Sequence, residues 1–293
     1  MESLSYNLFI LALVSAGVAS LLYLWAVGGV RLAVRSAATD AGTLTMVGTE
    51  PTRGAERAFA YLGLALTLLL LSGALASRWI AADRPPLGNM YEYNLALAWG
   101  MTLFLSIHQV RFRELSVGAV GMPVIFLLLL VNLMYFPSTL TTLIPALQAE
   151  RILGIHVATM MMSYAALSVS FFAAVLYLVQ GSARRFARVP SQARLQEVAE
   201  WSVKIGVPML ALGIALGAWW ANDAWGRYWG WDPKETSALV TWLIYTAYLH
   251  AHGLRGWRGS RSMWLLIVGY AAVIFTYFAV NLWVSGLHSY AGV

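Results

Sequence analysis

The chain has 293 residues, 60% of them hydrophobic and only 11% charged, with a net charge of +6 and no cysteine. A soluble domain carries roughly a quarter charged residues, so this composition excludes one. The missing thiols exclude disulfide relay, cysteine-ligated iron–sulfur clusters and covalent haem attachment through the chain's own side chains.

Long apolar runs recur along the whole sequence. In hydrocarbon only helices and closed barrels satisfy every backbone group. These runs are continuous rather than alternating, so they predict helices. Eight spans are expected, at about 7–27, 58–77, 91–107, 119–136, 156–179, 205–221, 237–253 and 263–284. The predicted fold is therefore all-α: a polytopic integral membrane bundle of about eight transmembrane helices, forming one domain over 1–293. The first run starts near Asn7 without a basic leader and reads as a span, not a cleaved signal. The 28–57 stretch, with Gly42, Gly48 and Pro51, reads as an irregular connection. The 78–90 loop contains Pro85-Pro86, and the 137–155 loop, with Pro137 and Pro145, is expected to hold a short interfacial helix.

Lysine and arginine divide unevenly between the two sets of loops. Arg31 to Arg57, Arg111 and Arg113, Arg184 to Lys204, and Arg255 to Arg261 account for 14 of the 19. Arg78, Arg84, Arg151, Arg227 and Lys234 make up the other set. The positive-inside rule puts the richer set in the cytoplasm, leaving both termini outside. The basic loops thus read as topology determinants, and no nucleic-acid partner is expected.

Residues 219–231 hold five of the 13 tryptophans: Trp219, Trp220, Trp225, Trp229 and Trp231, with Gly226 and Gly230 between them. Asp232-Pro233-Lys234-Glu235 follows. Asp232 suits a helix N-cap, Pro233 the first helical position, and Glu235 can reach back as in a capping box. The stretch therefore reads as a loop that ends where a helix begins. Tryptophan is enriched at membrane interfaces in any case, but a belt spreads over many helix ends. One concentrated segment suggests a flat aromatic platform for a large planar apolar ligand.

His156 enters the fifth span and His288 follows the eighth, so both sit at the outer level of the tryptophan segment. Two neutral imidazoles on either side of a haem iron, beside an aromatic shelf, make a coherent site. The alternative is a pair of polar helix-end residues bonded to water or carbonyls. His250 lies 17 residues beyond Pro233, roughly 25 Å deeper at the helical rise, and cannot reach the same iron. An ionisable side chain there is a functional candidate or an inner interfacial residue. His252 and His108 read as interfacial, although His108 could pair with His250 around a second haem. No Walker sequence, zinc-spaced histidine pair or thiol nucleophile is present.

The run Trp225-Gly226-Arg227-Tyr228-Trp229-Gly230-Trp231-Asp232-Pro233-Lys234-Glu235-Thr236 resembles the tryptophan-rich WWD signature of haem-handling proteins. Its continuation through Tyr248-Leu249-His250 is similar to the CcsA (ResC) family of cytochrome c biogenesis proteins rather than to CcmC or CcmF. Pro86 to Glu92, Pro145 to Ala165 around His156, and Gly286-Leu287-His288-Ser289-Tyr290 agree with that family. The likeness covers roughly 85–293; it departs at Ser237, where tryptophan is common. The resemblance implies cytochrome c maturation, with the WWD segment at about 219–236 on the outer face. His156 and His288 would be axial ligands to haem b held as a bound substrate. Trp219, Trp220, Trp225, Tyr228, Trp229, Trp231 and Asp232 would support it, and His250 would be a ligand on its way outward. A CcsB (ResB) partner and apocytochrome c would complete the system, in a bacterial plasma membrane or a thylakoid. The chemistry would be haem lyase chemistry, thioether attachment to a Cys-X-X-Cys-His motif, with the chain positioning haem and offering no catalytic residue. A haem exporter without that chemistry and a two-haem electron-transfer protein are the competing readings.

Overall fold

The computed structural model describes residues 1–28, 53–140, 143, 145–148, 150–181, 185–186, 188–253 and 257–288. Most of the expected 28–57 connection, and the Ser289-Tyr290 pair, lie outside the described residues. Within them the fold is all-helical. Eight long helices follow in order: α1 (Glu2–Gly28), α2 (Arg53–Ala82), α3 (Met90–Phe112), α4 (Ser116–Tyr135), α5 (Glu150–Gln180), α6 (Gln192–Trp225), α7 (Pro233–Gly253) and α8 (Ser260–Ile274). α8 runs on through a π-turn (Phe275–Ala279) into a last α-turn (Val280–Leu282). The short helix expected in the 137–155 loop is a 3₁₀ turn at Pro145–Gln148.

Local chemistry sets the boundaries. Asn89 caps α3 by accepting the Glu92 amide at 2.9 Å. Gly226, in the left-handed region at φ 72°, closes α6. Its amide donates to the Asn222 carbonyl. α6 starts at Gln192 rather than near 205. The exposed pairs Arg194–Glu197 and Lys204–Glu200, each 2.6 Å, carry the helix beyond its apolar part.

Six helices, α1, α2, α4, α5, α6 and α8, are long and apolar enough to cross a bilayer, and the protein is an integral membrane protein. α3 and α7 fall short of that composition. In α3 the reason is burial: Glu92, Asn94, Thr102, His108 and Gln109 all face neighbouring helices, so lipid never meets them. Asn94 donates to Asn132 of α4 at 3.0 Å and accepts from the Tyr277 hydroxyl of α8 at 2.8 Å.

Lipid offers no hydrophobic drive between helices, so close approach depends on small residues. α5 packs most extensively against α6. A Cβ on Gly206 would lie 2.6 Å from Leu167, and one on Gly213 would overlap the Met160 sulfur. The Ser163 hydroxyl donates to the Gly206 carbonyl at 2.7 Å in the same seam.

The helices alternate in direction, so the starts of α3, α5 and α7 share one end with the finishes of α2, α4, α6 and α8. That end is tied by a buried cluster. Glu92 accepts from Arg78 at 2.9 Å, from Arg84 at 2.8 Å and from the Gly88 amide at 2.7 Å. Arg78 also donates to the carbonyls of Ser138 and Thr139. The Leu140 amide meets Glu2 at 3.1 Å, which places the N-terminus at this end too.

Candidate functional site

At this end, α3, α5, α6, α7 and α8 surround a cavity of about 830 Å³, counting its open mouth. The walls are mostly apolar, from Leu153, Val157, Met160, Met161, Ile214 and Ala238, with Tyr93, Tyr164 and Tyr277 among them. His156 and His288 both line it.

Each imidazole is anchored through Nδ1. His156 Nδ1 lies 2.7 Å from the Gly213 carbonyl oxygen. A carbonyl only accepts, so Nδ1 carries the proton and the lone pair is on Nε2. His288 Nδ1 lies 2.7 Å from Asp232 Oδ1, with the same consequence. Burial lowers His288 from its usual value, and the Asp232 carboxylate offsets that only partly. The ring is therefore neutral near pH 7. Two histidines tied down at one nitrogen by a carbonyl or a carboxylate have the arrangement of metal-ligating imidazoles.

Trp220, 1% exposed, joins the two rings. It stands parallel to His156 at 6.4 Å between ring centres and tilted to His288 at 5.7 Å. Trp225 meets His288 edge-on at 4.9 Å.

The aromatic segment differs from the expected loop and platform. Trp219 to Trp225 form the last turns of α6, and only Gly226 to Asp232 are loop. The indoles are not coplanar: Trp220 and Trp225 meet at 70°, Trp229 and Trp231 at 89°. Trp220 and Trp229 line the cavity. Trp219, Tyr228 and Trp231 do not, and stand exposed. Successive helical residues diverge by ~100°, so Trp219 must leave where Trp220 enters. Trp231 adopts a left-handed backbone, φ 56°, uncommon for a bulky residue. Glu235 holds it there by accepting the amides on either side, Gly230 at 2.8 Å and Asp232 at 3.1 Å. The second of these is the expected capping-box bond.

Asp232 caps α7 as expected, accepting the Lys234 amide at 2.9 Å. It also accepts the Leu287 amide at 2.7 Å and His288. Burial alone would raise this carboxyl; the His288 and backbone bonds outweigh it and hold it down at about 2. Asp232 therefore acts through His288 rather than from the cavity wall.

The remaining histidines sit at the opposite end. His250 is exposed on the last turn of α7. His252 pairs with Glu200 at 3.2 Å and stacks on Tyr248. His108 is fully buried, stacks on Phe112 and lies 3.0 Å from Glu114. Burial alone would raise the Glu114 carboxyl, but His108 and Ser116 hold it below its usual value. His108 is thus committed to the turn between α3 and α4.

Gly213 and Gly217 are site residues that the sequence reading passed over. A Cβ on Gly217 would lie 2.6 Å from the His156 ring. The visible signal was the Gly-x-x-x-Gly spacing at 213–217, the mark of close helix approach.

The sequence pattern of the family described as Cytochrome C assembly protein matches residues 87–288. The cytochrome c biogenesis protein CcsA of Guillardia theta is 34% identical over 259 residues, covering 78% of this chain and 85% of that protein. The CcsA protein of Microcystis aeruginosa is 33% identical over 282 residues, covering 78% and 86%. The structure titled cytochrome c heme lyase CcmF superposes with a TM-score of 0.64 at 22% identity. It shares the fold over 94% of this chain, which spans 46% of that longer one. With its matched region running from the Glu92 cluster to the His288 anchor, the chain belongs to the cytochrome c assembly protein family.

Proposed function

We propose that this chain presents haem b, as a bound substrate, between His156 and His288 for attachment to an apocytochrome c. The observation that carries the reading is the shared cavity, with both imidazoles anchored at Nδ1 and both flanking Trp220. That donor set suits a haem iron, and the apolar walls suit a porphyrin. Haem supplies the iron and the two vinyl groups that become thioethers; the substrate's Cys-X-X-Cys-His motif supplies the sulfurs. The chain contributes position: Gly213 and Asp232 set the two rings, and Trp220 and Trp229 wall the slot. Exposed Trp219, Tyr228 and Trp231 give an aromatic rim on the side an apocytochrome would approach.

In this reading the membrane is a bacterial plasma membrane, and the unequal loop charges support a cavity on its outer face, with both termini on that side. His250 lies on an exposed stripe of α7 with Val240, Leu243 and Ala247. That placement supports a second membrane protein, of the CcsB/ResB type, supplying its companion ligand on the haem route.

The test is the absorption spectrum of the purified chain, alone and with its partner. A low-spin bis-histidine haem is expected, substoichiometric in the chain alone, and His108→Gln is expected to leave it unchanged. Stoichiometric haem that His108→Gln disturbs would replace this reading with a two-haem electron-transfer protein.

Gly217 gives a second check. Gly217→Val pushes side-chain atoms into the His156 ring, which must move or turn away from Gly213. Covalent haem yield in a co-expressed apocytochrome should fall about 100-fold, the order for a 1 Å misplacement. An unchanged yield and spectrum would show that the ring does not need its present place.

A further inference from the structure

The cavity has one cationic wall residue, Lys234 in the first turn of α7, which neither histidine's anchoring uses. Its ammonium donates to the Asn281 side-chain oxygen at 2.5 Å. Among the described residues no carboxylate lies within 4 Å of it. The two nearest acids in sequence are already occupied. Asp232 accepts from His288, from the Lys234 backbone and from Leu287. Glu235 accepts the Gly230 and Asp232 amides. Asp232 acts on this cation through space and Glu235 shares the cavity wall, but the one side chain it bonds directly among the described residues is a neutral amide, so an anionic ligand group would offset the cost of keeping the charge there.

Asn281 is itself held in place. Its amide nitrogen donates to the Tyr277 carbonyl at 2.6 Å, which turns its oxygen toward Lys234. Tyr277 lies in the π-turn that interrupts the end of α8, and both it and Asn281 line the cavity. Such one-turn π insertions occur preferentially at functional sites. The Lys234–Asn281 pair is thus a built cationic corner in a mostly apolar slot, with Glu235 beside it turned to the Gly230 and Asp232 amides.

We propose that Lys234 is the carboxylate-binding residue of this cavity, taking a propionate of the bound porphyrin. The assignment rests on the haem reading above for the identity of the ligand. It gives the slot a polarity: the propionate edge of the macrocycle lies at the α7–α8 corner and the opposite, apolar edge lies away from it. Axial ligation alone leaves the ring free to turn about the iron. A charged contact at one corner removes that freedom, so Lys234 selects which edge is offered to the apocytochrome.

The experiment uses the full chain in lipid nanodiscs, titrated with metal-free protoporphyrin IX and with its dimethyl ester, read by tryptophan quenching. Omitting iron separates the carboxylate contact from axial ligation. The free acid is expected to bind the wild type on the order of tenfold more tightly, relative to the ester, than it binds Lys234→Met. Partition into the bilayer is the same for both proteins and cancels in that ratio. Lys234→Arg should keep the preference. A Lys234→Met protein that discriminates acid from ester as well as the wild type overturns the assignment. In parallel, haem is added to His156→Ala and His288→Ala. An unaltered absorption band in both would sink the axial reading and leave the Lys234 result standing. Failure of every porphyrin to bind would sink both.

Discussion

His156→Ala and His288→Ala are each expected to cut covalent haem in a co-expressed apocytochrome c by more than about 100-fold, since loss of a residue that merely orients a ligand costs ~10–100-fold. Both histidines line the same cavity, and each is held at Nδ1, by Gly213 or by Asp232. On the proposed reading, removing either would leave a bound haem iron with one axial partner in a mostly apolar slot. Imidazole added to the culture should restore part of the yield, because the cavity left by alanine accepts the free base. Asp232 provides a graded control. Asp232→Asn keeps an acceptor for His288 but loses the charge, and should fall near the lower end of that range. Asp232→Ala also removes the α7 cap, worth ~1 kcal/mol, and should fall near the upper end. Full yield from both histidine variants would sink the synthase reading and favour a haem exporter, with attachment carried out elsewhere.

Glu92→Gln is expected to destabilise the chain by ~3–5 kcal/mol, the usual cost of stripping one partner from a buried ion pair. Glu92 is fully buried, and Arg78 is 1% exposed. The variant leaves Arg78 and Arg84 enclosed without the carboxylate both contact. Because Arg78 also holds the Ser138 and Thr139 carbonyls, the loop leading to α5 should loosen together with the starts of α3 and α5. Thermal melting in detergent, followed by monodispersity, would show a lower midpoint; limited proteolysis should cut first near 137–143. A midpoint equal to wild type would mean that solvent or lipid headgroups reach the arginines and the cluster is not a clamp. The haem reading does not depend on that outcome.

The order of the long helices was legible from apolar runs read one residue after another, a pattern that a bilayer imposes on the six long and apolar enough to cross it. The Asp232-Pro233 start of α7 was legible for the same local reason: a cap and the amide that donates to it are two residues apart. The equal depth of His156 and His288 followed from counting spans. Other features were not legible. The length of α6 depended on surface pairs such as Glu200 and Lys204, which a search for apolar runs discards. The exposure of Trp219 and Trp231 beside buried Trp220 depended on helix phase and on one left-handed residue, whereas the sequence shows only a dense tryptophan cluster.

By itself the sequence determined that this is a membrane helix bundle with imidazoles and indoles gathered at one level, because hydropathy, caps and span counting act over short separations. Only the tertiary structure decided which ring nitrogen is anchored, which group anchors it, and which cation stands beside the pair. His156 is set by a carbonyl 57 residues away and His288 by a carboxylate 56 residues away. Lys234 takes its partner from the far end of α8. Such pairings follow from how helices cross and how closely glycines let them approach, and those distances exist only once the chain has folded.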